Sequence, residues 1–312
     1  MSELNEYALR PDKLGGPLEG PAESAEQLAN GKNVGKSCQQ CFTGAVLPGE
    51  PRGEMRELAS LKTYFTPGRR GEGEQVGTGK VIVIATDAFG LGIPNPKIIA
   101  DRLAEATGYD VWVPDLLEGD YPPMSKLYLI EKPIKGKPLL ERAGIWVKVV
   151  FSQLRFVGAT FFYRHRRAVL LPLATRFCTA LKKEKGIGRI GMVGYCLGGE
   201  VSTCLAGAEP LDGLTLVDVA VTAHPGFLKI ADFEKARVPF ALICAEEDFA
   251  FDSIRKGAIE ALRRMEKPTA VLDDHPGTVH GFAARSDLSD PNSKEQFEKA
   301  LYETLGWLQA HL

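Results

Sequence analysis

The 312-residue chain lacks several features that would place it in a membrane, secreted or nucleic-acid-binding class. It has no apolar run approaching the roughly 20 residues that a membrane-spanning helix needs. Its net charge of −2 shows no basic excess, so electrostatics gives no reason to expect nucleic acid or an anionic membrane as a partner. The first residues, MSELNEYALRPDKLGG, contain no apolar stretch of the signal-peptide type. We therefore expect a cytoplasmic protein with reduced thiols.

Metal and redox motifs are also scarce, although the chain has six cysteines. Cys38 and Cys41 form a C-x-x-C pair, but no second pair with zinc spacing follows it. The pair leads into CFTGAVL, a predicted strand, whereas a thioredoxin-like motif would open a helix. We interpret both as ordinary reduced cysteines and predict no metal site. A redox-sensing protein that uses these two thiols together with Cys196 remains an alternative.

Two short motifs suggest other functions but occur in weak contexts. Residues 186–191, GIGRIG, match the G-x-G-x-x-G pattern of dinucleotide-binding proteins, which has meaning only between a strand and a helix. Here the pattern follows a predicted helix and leads into a strand, so we expect a helix cap and predict no cofactor. The C-terminal Ala310-His311-Leu312 loosely resembles a peroxisomal signal and leaves that compartment as an alternative.

The 44% of hydrophobic residues can supply a sizeable core, and their arrangement predicts alternating strands and helices. Repeated β-α-β units with apolar strands indicate an α/β fold: a mostly parallel central sheet with helices on both faces. Two strand-like runs, at 41–47 and 61–65, come before these units. The predicted strands are then 80–86, 109–113, 188–194, 217–223, 239–245 and 268–272; the predicted helices are 96–107, 166–185, 197–208, 251–266 and 294–310.

The predicted domain organisation has three parts. Residues 1–36 are rich in Gly, Pro, Glu and Asn without apolar periodicity, and we expect an irregular arm. Residues 37–312 are interpreted as one domain. Within it, residues 114–165 depart from the alternation, with a Pro-rich turn and a basic segment. Because long connections in compact domains are often functional, we interpret this segment as a cap over the site.

The most specific motif is GYCLGG, residues 194–199, between a predicted strand and a predicted helix. It has the G-x-S-x-G form of a nucleophile elbow with cysteine in place of serine. The elbow is a strained turn, and positions two residues from the nucleophile must lack side chains. The helix that follows directs free N–H groups at a thiolate and at a developing oxyanion. The sequence therefore predicts Cys196 as a nucleophile; the alternative is a buried structural cysteine.

An acid and a base follow in the chain order expected for such a nucleophile. Asp248 comes directly after the predicted strand ALICAEE, and His280 lies in TVHGFAAR after the last predicted strand. The carboxyl ends of parallel strands meet at one edge of the sheet, so we expect Cys196, Asp248 and His280 to lie together. Asp252 is an alternative acid, but it is predicted to lie in the next helix.

The other four histidines carry weaker expectations. His224 ends a predicted strand in TAHPG and is a candidate for lining the pocket. His275 precedes a proline in a turn and is expected to be solvated. His165, in YRHRR, is expected on a basic surface or in the cap, and His311 belongs to the C-terminal tail.

Five segments together resemble the dienelactone hydrolase (carboxymethylenebutenolidase) family of the α/β-hydrolase fold. They are KVIVIATDAFGLG, YDVWVPDLLEGD, IGMVGYCLGGE, AEEDF and VHGFAAR, and the resemblance extends over roughly residues 38–312. The C-x-x-C region and the strand pair after it resemble the eukaryotic branch, which includes many fungal members. The resemblance implies cysteine-dependent hydrolysis of a lactone or small ester through an acyl-enzyme, by a monomer or homodimer.

The resemblance also implies roles for particular residues. The backbone N–H groups of Leu197 and Ala88 would form the oxyanion hole. His280 would move protons and Asp248 would hold its imidazole in the useful tautomer. Candidates for the substrate pocket are Asp87, Phe89, Tyr195, His224, Phe282 and Arg285.

Three positions depart from the pattern of bacterial family members. Asp87 stands where those members have a glutamate that contacts the resting thiol. Arg285 comes one residue later than their substrate-binding arginine, and Glu118 stands where a basic residue is expected. A lactone or ester other than the carboxylated dienelactone is therefore at least as well supported. A catalytically weak or inactive protein that uses the fold for binding or regulation is the alternative.

Overall fold

The computed structural model describes residues 23–24, 45–68, 79–121, 138, 144 and 158–312. Most of the predicted N-terminal arm, Cys38 and Cys41, and all of the predicted cap between 122 and 157 except two single residues lie outside these ranges. Among the helices in the described ranges, none combines the length and apolar character needed to cross a membrane.

An eight-stranded sheet forms the centre of the molecule. Its strands in chain order are β3 (Glu54–Leu58), β4 (Leu61–Thr66), β5 (Lys80–Ala85), β6 (Asp110–Pro114), β7 (Arg189–Tyr195), β8 (Val219–Ala223), β9 (Phe240–Ile243) and β10 (Thr269–Leu272). They lie in the order β10-β9-β8-β7-β5-β6-β4-β3. The six strands from β10 to β6 are parallel, while β4 and β3 add antiparallel at one edge. The predicted mostly parallel sheet is confirmed.

Two features of the strands differ from the prediction. The predicted strand at 41–47 is described only as the short β2 (Ala45–Val46), which pairs with β1 (Glu23–Ser24) outside the central sheet. The edge strand β3 is absent from the prediction because its sequence, EMREL, has four exposed residues and no apolar alternation. Its pairing with β4 holds it in the sheet.

Helices fill the connections between the parallel strands. The described helices are α1 (Asn95–Thr107), α2 (Gly158–Arg164), α3 (Arg167–Glu184), α4 (Leu197–Ala206), α5 (Ile230–Glu234), α6 (Asp252–Arg263), α7 (Phe282–Arg285) and α8 (Pro291–His311). The five predicted helices are confirmed with ends shifted by up to three residues. Gly186, with φ of +67°, and Gly188 lie between the end of α3 and β7, where they form the expected helix end and turn, while Gly191 lies within β7.

The core lies in two layers, because successive side chains of a strand point to opposite faces of the sheet. In β5, Val81 and Val83 pack in the layer that contains α3 and α4, while Ile82 and Ile84 pack in the layer that contains α1 and α8. Burial of each such side chain contributes about 1.5–3 kcal/mol. This packing fixes the parallel strands as a platform whose carboxyl ends, and the loops after them, converge at one edge.

Candidate active site

Cys196 occupies a strained turn between β7 and α4. Its backbone has φ of 52° and ψ of −109°, a conformation that side-chain-bearing residues rarely adopt. The turn requires glycine on both sides: a Cβ on Gly198 would collide with the carbonyl of Ala85, and one on Gly194 would collide with the carbonyl of Gly198. The sequence motif thus folds into the sharp elbow that its spacing predicts.

Backbone hydrogen bonds join this elbow to the neighbouring strands. The Cys196 N–H donates to the Ala223 carbonyl over 3.2 Å, and the Gly226 N–H donates to the Cys196 carbonyl over the same distance. The Gly198 N–H donates to the Thr86 carbonyl over 2.9 Å. The ends of β5, β7 and β8 therefore hold the Cys196 backbone from both sides.

The structure brings the three predicted catalytic side chains into one hydrogen-bonded line. His280 Nε2 lies 3.0 Å from Cys196 Sγ, and His280 Nδ1 lies 2.8 Å from Asp248 Oδ1. Asp248 and His280 are buried, while Cys196 is partly exposed. Asp252, the alternative acid, begins α6, is exposed, and accepts a hydrogen bond from the Asp248 N–H instead.

The loops that carry the acid and the histidine are paired with each other. The Glu247 N–H donates to the Thr278 carbonyl over 3.1 Å, and the Glu246 N–H donates to Thr278 Oγ1 over 3.0 Å. These contacts lie next to Asp248 and two residues before His280. They fix the distance between the acid and the ring independently of the hydrogen bond between them.

Charge at the site favours a protonated His280. Burial alone would lower the pKa of His280, but the charges on Cys196 and Asp248 and the hydrogen bonds to both raise it well above its ordinary value. An imidazolium beside a cysteine stabilises the thiolate form of that cysteine. The arrangement can therefore hold a nucleophilic sulfur and a proton donor side by side at neutral pH.

We expect Asp248→Asn to lower the pKa of His280, because the substitution removes a negative charge that stabilises the imidazolium. The imidazolium would then be lost at a lower pH than in the wild type. The pKa is measured by NMR titration of the histidine ring, and the apparent value belongs to the coupled His280–Cys196 pair. Asp252→Asn is the control and should shift it less, because Asp252 contacts only the Asp248 backbone in this loop. An unchanged pKa in Asp248→Asn would contradict the assigned electrostatics.

The two predicted oxyanion-hole donors belong to the segments that follow β7 and β5. Leu197 is the first residue of α4, where N–H groups have no partner within the helix. Ala88 lies in the turn between β5 and the 3₁₀-helix Gly90–Gly92. Within the part of the chain that the structure describes, neither N–H donates a hydrogen bond.

Asp87 and Arg285 form a buried ion pair beside the turn that carries Ala88. Asp87 Oδ2 accepts from Arg285 Nη1, and Asp87 Oδ1 accepts from the Phe89 N–H over 2.9 Å. The guanidinium lies 5.0 Å from the centre of the Phe89 ring. Burial lowers the pKa of Arg285 to about 9, so the group stays charged at neutral pH. The Asp87 carboxylate is thus directed at Arg285, and no hydrogen bond joins it to Cys196 among the described side chains.

His224, Tyr195 and Phe282 form a buried layer against His280. The centre of the His224 ring lies 5.2 Å from that of His280, 6.0 Å from Tyr195 and 5.9 Å from Phe282. Within the described ranges, neither ring nitrogen of His224 has a hydrogen-bond partner. Burial and, to a lesser degree, the charge on His280 lower the pKa of His224 to about 3. His224 is therefore a neutral ring packed against the His280 imidazole.

We expect His224 to make the fold sensitive to acid. In the unfolded chain the pKa of His224 is about 6.5. Below that pH the unfolded state therefore binds a proton that the folded state does not bind. Stability is then lost as pH falls from about 6.5 toward about 3. His224→Asn, which tolerates the positive φ of 36°, should lose about 2 kcal/mol less stability than the wild type between about pH 7 and about pH 5. Urea denaturation at both pH values measures this; parallel losses would contradict it.

One expectation about the other histidines is wrong. His275 is not solvated: its side chain is buried, with Nδ1 3.2 Å from Gln296 Oε1 and Nε2 3.0 Å from Glu303 Oε2. For His165 the basic-surface alternative is excluded, since its side chain is buried with Nε2 2.8 Å from Asp120 Oδ2, while its place in a cap stays a prediction. In each case the partner is supplied by a segment distant in the chain.

The sequence analysis missed two aromatic side chains at the site. The ring of Phe249, directly after Asp248, lies 5.1 Å from the ring of His280 and is 47% exposed. Phe227 follows Gly226, whose N–H holds the Cys196 carbonyl, and is 53% exposed. The available signal was their position, since both lie in loops just after strands β9 and β8 at the carboxyl edge.

Comparison with known proteins assigns the chain to a family. A model described as the dienelactone hydrolase family matches residues 68–312. The hydrolase pyvD of Aspergillus violaceofuscus is 24% identical over 276 residues, which cover 88% of this chain and 96% of that protein. The carboxymethylenebutenolidase homolog of Mus musculus is 25% identical over 284 residues, with 87% and 96% covered.

A solved structure agrees with this assignment at the level of the fold. The dienelactone hydrolase from Anabaena variabilis superposes with a TM-score of 0.52 at 14% identity, covering 84% of this chain and 97% of that one. Residues 68–312, which the family model matches, contain the elbow, the acid loop and the histidine loop described above. The chain therefore belongs to the dienelactone hydrolase family, whose members are α/β-hydrolase-fold enzymes that hydrolyse ester and lactone bonds.

Proposed function

We propose that this protein is a cysteine-dependent hydrolase that cleaves a lactone or small ester through an acyl-enzyme. The observation that carries the proposal is the line from Cys196 Sγ through His280 to Asp248, with distances of 3.0 and 2.8 Å, at a strained elbow. Nucleophile, base and orienting acid at these distances are the arrangement that covalent acyl transfer needs.

The geometry supports a two-step reaction. In the first step the Cys196 thiolate attacks the carbonyl carbon, and the oxygen becomes an oxyanion that accepts hydrogen bonds from the Leu197 and Ala88 N–H groups. The carbon–oxygen bond to the alcohol then breaks, and the leaving oxygen takes the proton from His280 Nε2. Asp248 holds the ring through Nδ1 so that Nε2 faces the sulfur. The product is a thioester on Cys196.

In the second step water releases the acyl group. His280, now neutral, accepts a proton from the attacking water, and the same two N–H groups bind the second oxyanion. Breakage of the carbon–sulfur bond frees the carboxylic acid and restores the thiolate and the imidazolium. For a lactone the alcohol and the acid belong to one molecule, so both leave together.

The test is to trap the thioester. Rapid mixing with p-nitrophenyl acetate should release a burst of about one p-nitrophenolate per protein, and acid quenching should leave an acetyl group on the peptide that contains Cys196. Cys204→Ala is the matched control, because Cys204 is another partly buried thiol, located in α4. This variant should leave the burst intact. Acetylation of another residue, or turnover without any acyl-cysteine, would refute the proposed mechanism.

A further inference from the structure

We infer that the site accepts the alcohol portion of its substrate in an apolar, aromatic subsite formed by Phe249 and Phe227, and that this portion is uncharged. The inference rests on the proposed function, because it assigns a place to the leaving group of that reaction. It names the substrate class as neutral esters or lactones with an aromatic or similarly bulky apolar alcohol portion.

Phe249 lies on the side from which the alcohol leaves. The leaving oxygen must take its proton from His280 Nε2, so the group attached to that oxygen lies close to the His280 ring. The Phe249 ring is tilted 54° to the His280 ring, with their centres 5.1 Å apart. Aromatic rings at this separation form favourable contacts, and Phe249 presents nearly half of its surface outward.

Phe227 extends the same surface from the neighbouring loop. A Cβ placed on Gly226 would lie 3.8 Å from the Cβ of Ala250, so the segments that precede Phe227 and follow Phe249 are adjacent. The Phe227 ring also lies 5.1 Å from the ring of the half-buried Phe162. The two exposed phenylalanines therefore lie on adjacent loops beside the triad.

The backbone of Phe227 argues against a purely structural role. Its φ of 60° is in the left-handed region, which costs a residue with a side chain about 1 kcal/mol or more. A glycine would relieve that strain, and because 53% of the residue's surface is exposed, packing of the ring against Phe162 offsets only part of the cost. An aromatic side chain held in this conformation next to the nucleophile loop is explained by contact with a ligand.

The charges around the subsite disfavour an anionic group. Arg285 is buried against Asp87, so its charge is compensated inside the protein. Arg255, at the start of the helix after Phe249, pairs with Asp252 over 2.7 Å. The charge on His280 is likewise balanced within the triad. A carboxylate on the alcohol portion would therefore lose water there without gaining an uncompensated cation, which raises the free energy of binding.

The test compares esters that differ only in the alcohol portion. Benzyl acetate, para-(acetoxymethyl)benzoate and ethyl acetate share the acetyl group, and the first two have alcohols of similar intrinsic reactivity. After correction for hydroxide-catalysed rates, we expect kcat/KM for benzyl acetate to exceed that of each of the others by about 10-fold or more. A higher value for the carboxylated ester than for benzyl acetate would overturn the inference while Cys196-dependent turnover upheld the proposed function.

Substitution of each phenylalanine tests whether these two side chains cause the preference for benzyl acetate over ethyl acetate. Phe249→Ala and Phe227→Ala should each lower the ratio of kcat/KM for benzyl over ethyl acetate by about 5-fold or more. Met55→Ala is the matched control, since Met55 is an equally exposed apolar side chain on the outermost strand β3, and it should keep the wild-type ratio. An unchanged ratio in both phenylalanine variants overturns the subsite. Equal turnover in wild type and Cys196→Ala would instead overturn the proposed function.

Discussion

Replacing Cys196 with alanine is expected to lower kcat by about 10³-fold or more, since the residual reaction would rely on the oxyanion hole alone. The sulfur forms the only covalent bond to the substrate in the proposed mechanism. The free energy of unfolding should change little, because alanine carries the same backbone strain at φ of 52° and the lost side-chain atom is partly exposed. Steady-state hydrolysis of p-nitrophenyl acetate and urea denaturation measure the two quantities.

Cys196→Ser provides a sharper test of the same chemistry. In the proposed mechanism the nucleophile is a thiolate beside a protonated His280, whereas a serine hydroxyl is far less acidic and needs a neutral histidine to remove its proton. Serine also removes the Cys196 charge that raises the pKa of His280, so the low acidity of the hydroxyl limits the variant, and we expect kcat to fall by about 10²-fold or more. Cys204→Ser is the control and should retain wild-type turnover. A Cys196→Ser variant with full activity would show that the site is not adapted to a thiolate.

Of the substitutions proposed for this protein, Asp87→Asn is expected to lower the free energy of unfolding the most. Asp87 and Arg285 are both buried, with 4% and 3% of their surfaces exposed, so the substitution leaves a buried guanidinium without the opposite charge of Asp87. Breaking a buried ion pair from one side costs about 3–5 kcal/mol. The turn that carries Ala88 is anchored by the same carboxylate, so kcat should fall as well.

A double-mutant cycle that combines Asp87→Asn with Arg285→Met tests whether the loss of stability comes from the Asp87–Arg285 ion pair. Removing both charges should cost less than the sum of the single substitutions, because neither charge is then left buried alone. Asp212→Asn is the control: it breaks an exposed pair with Lys183 and should cost less than about 1 kcal/mol. Urea denaturation measures the four proteins of the cycle and the control, and a loss in Asp87→Asn no larger than in Asp212→Asn would refute the buried pair.

Much of the fold was predictable because its signals are local. The run KVIVIAT predicts a buried parallel strand, and β5 is found at Lys80–Ala85. Residues 197–208 predict the helix after the elbow, and α4 is found at Leu197–Ala206. The strand β3 was missed because it has no such local signal. Its exposed residues show no apolar alternation, and only its hydrogen bonds to β4 define it.

The candidate site likewise has some features that the sequence predicts and others that it does not. In the sequence, Cys196, Asp248 and His280 each follow a predicted strand. Because parallel strands end at one edge of a sheet, the proximity of these residues was predictable. The burial of His275 was not, because the loop around it has the residues of a solvated turn and the covering side chains come from α8.

The sequence by itself determined the alternation of strands and helices, the glycines of the elbow and the order of Cys196, Asp248 and His280 at strand ends. These features depend on backbone preferences and side-chain volume within a few residues. Only the tertiary structure decided that Asp87 pairs with Arg285, 198 residues further along the chain, and that Phe249 packs against His280. Such contacts depend on how distant loops converge at the sheet edge, and no local pattern of residues encodes that convergence.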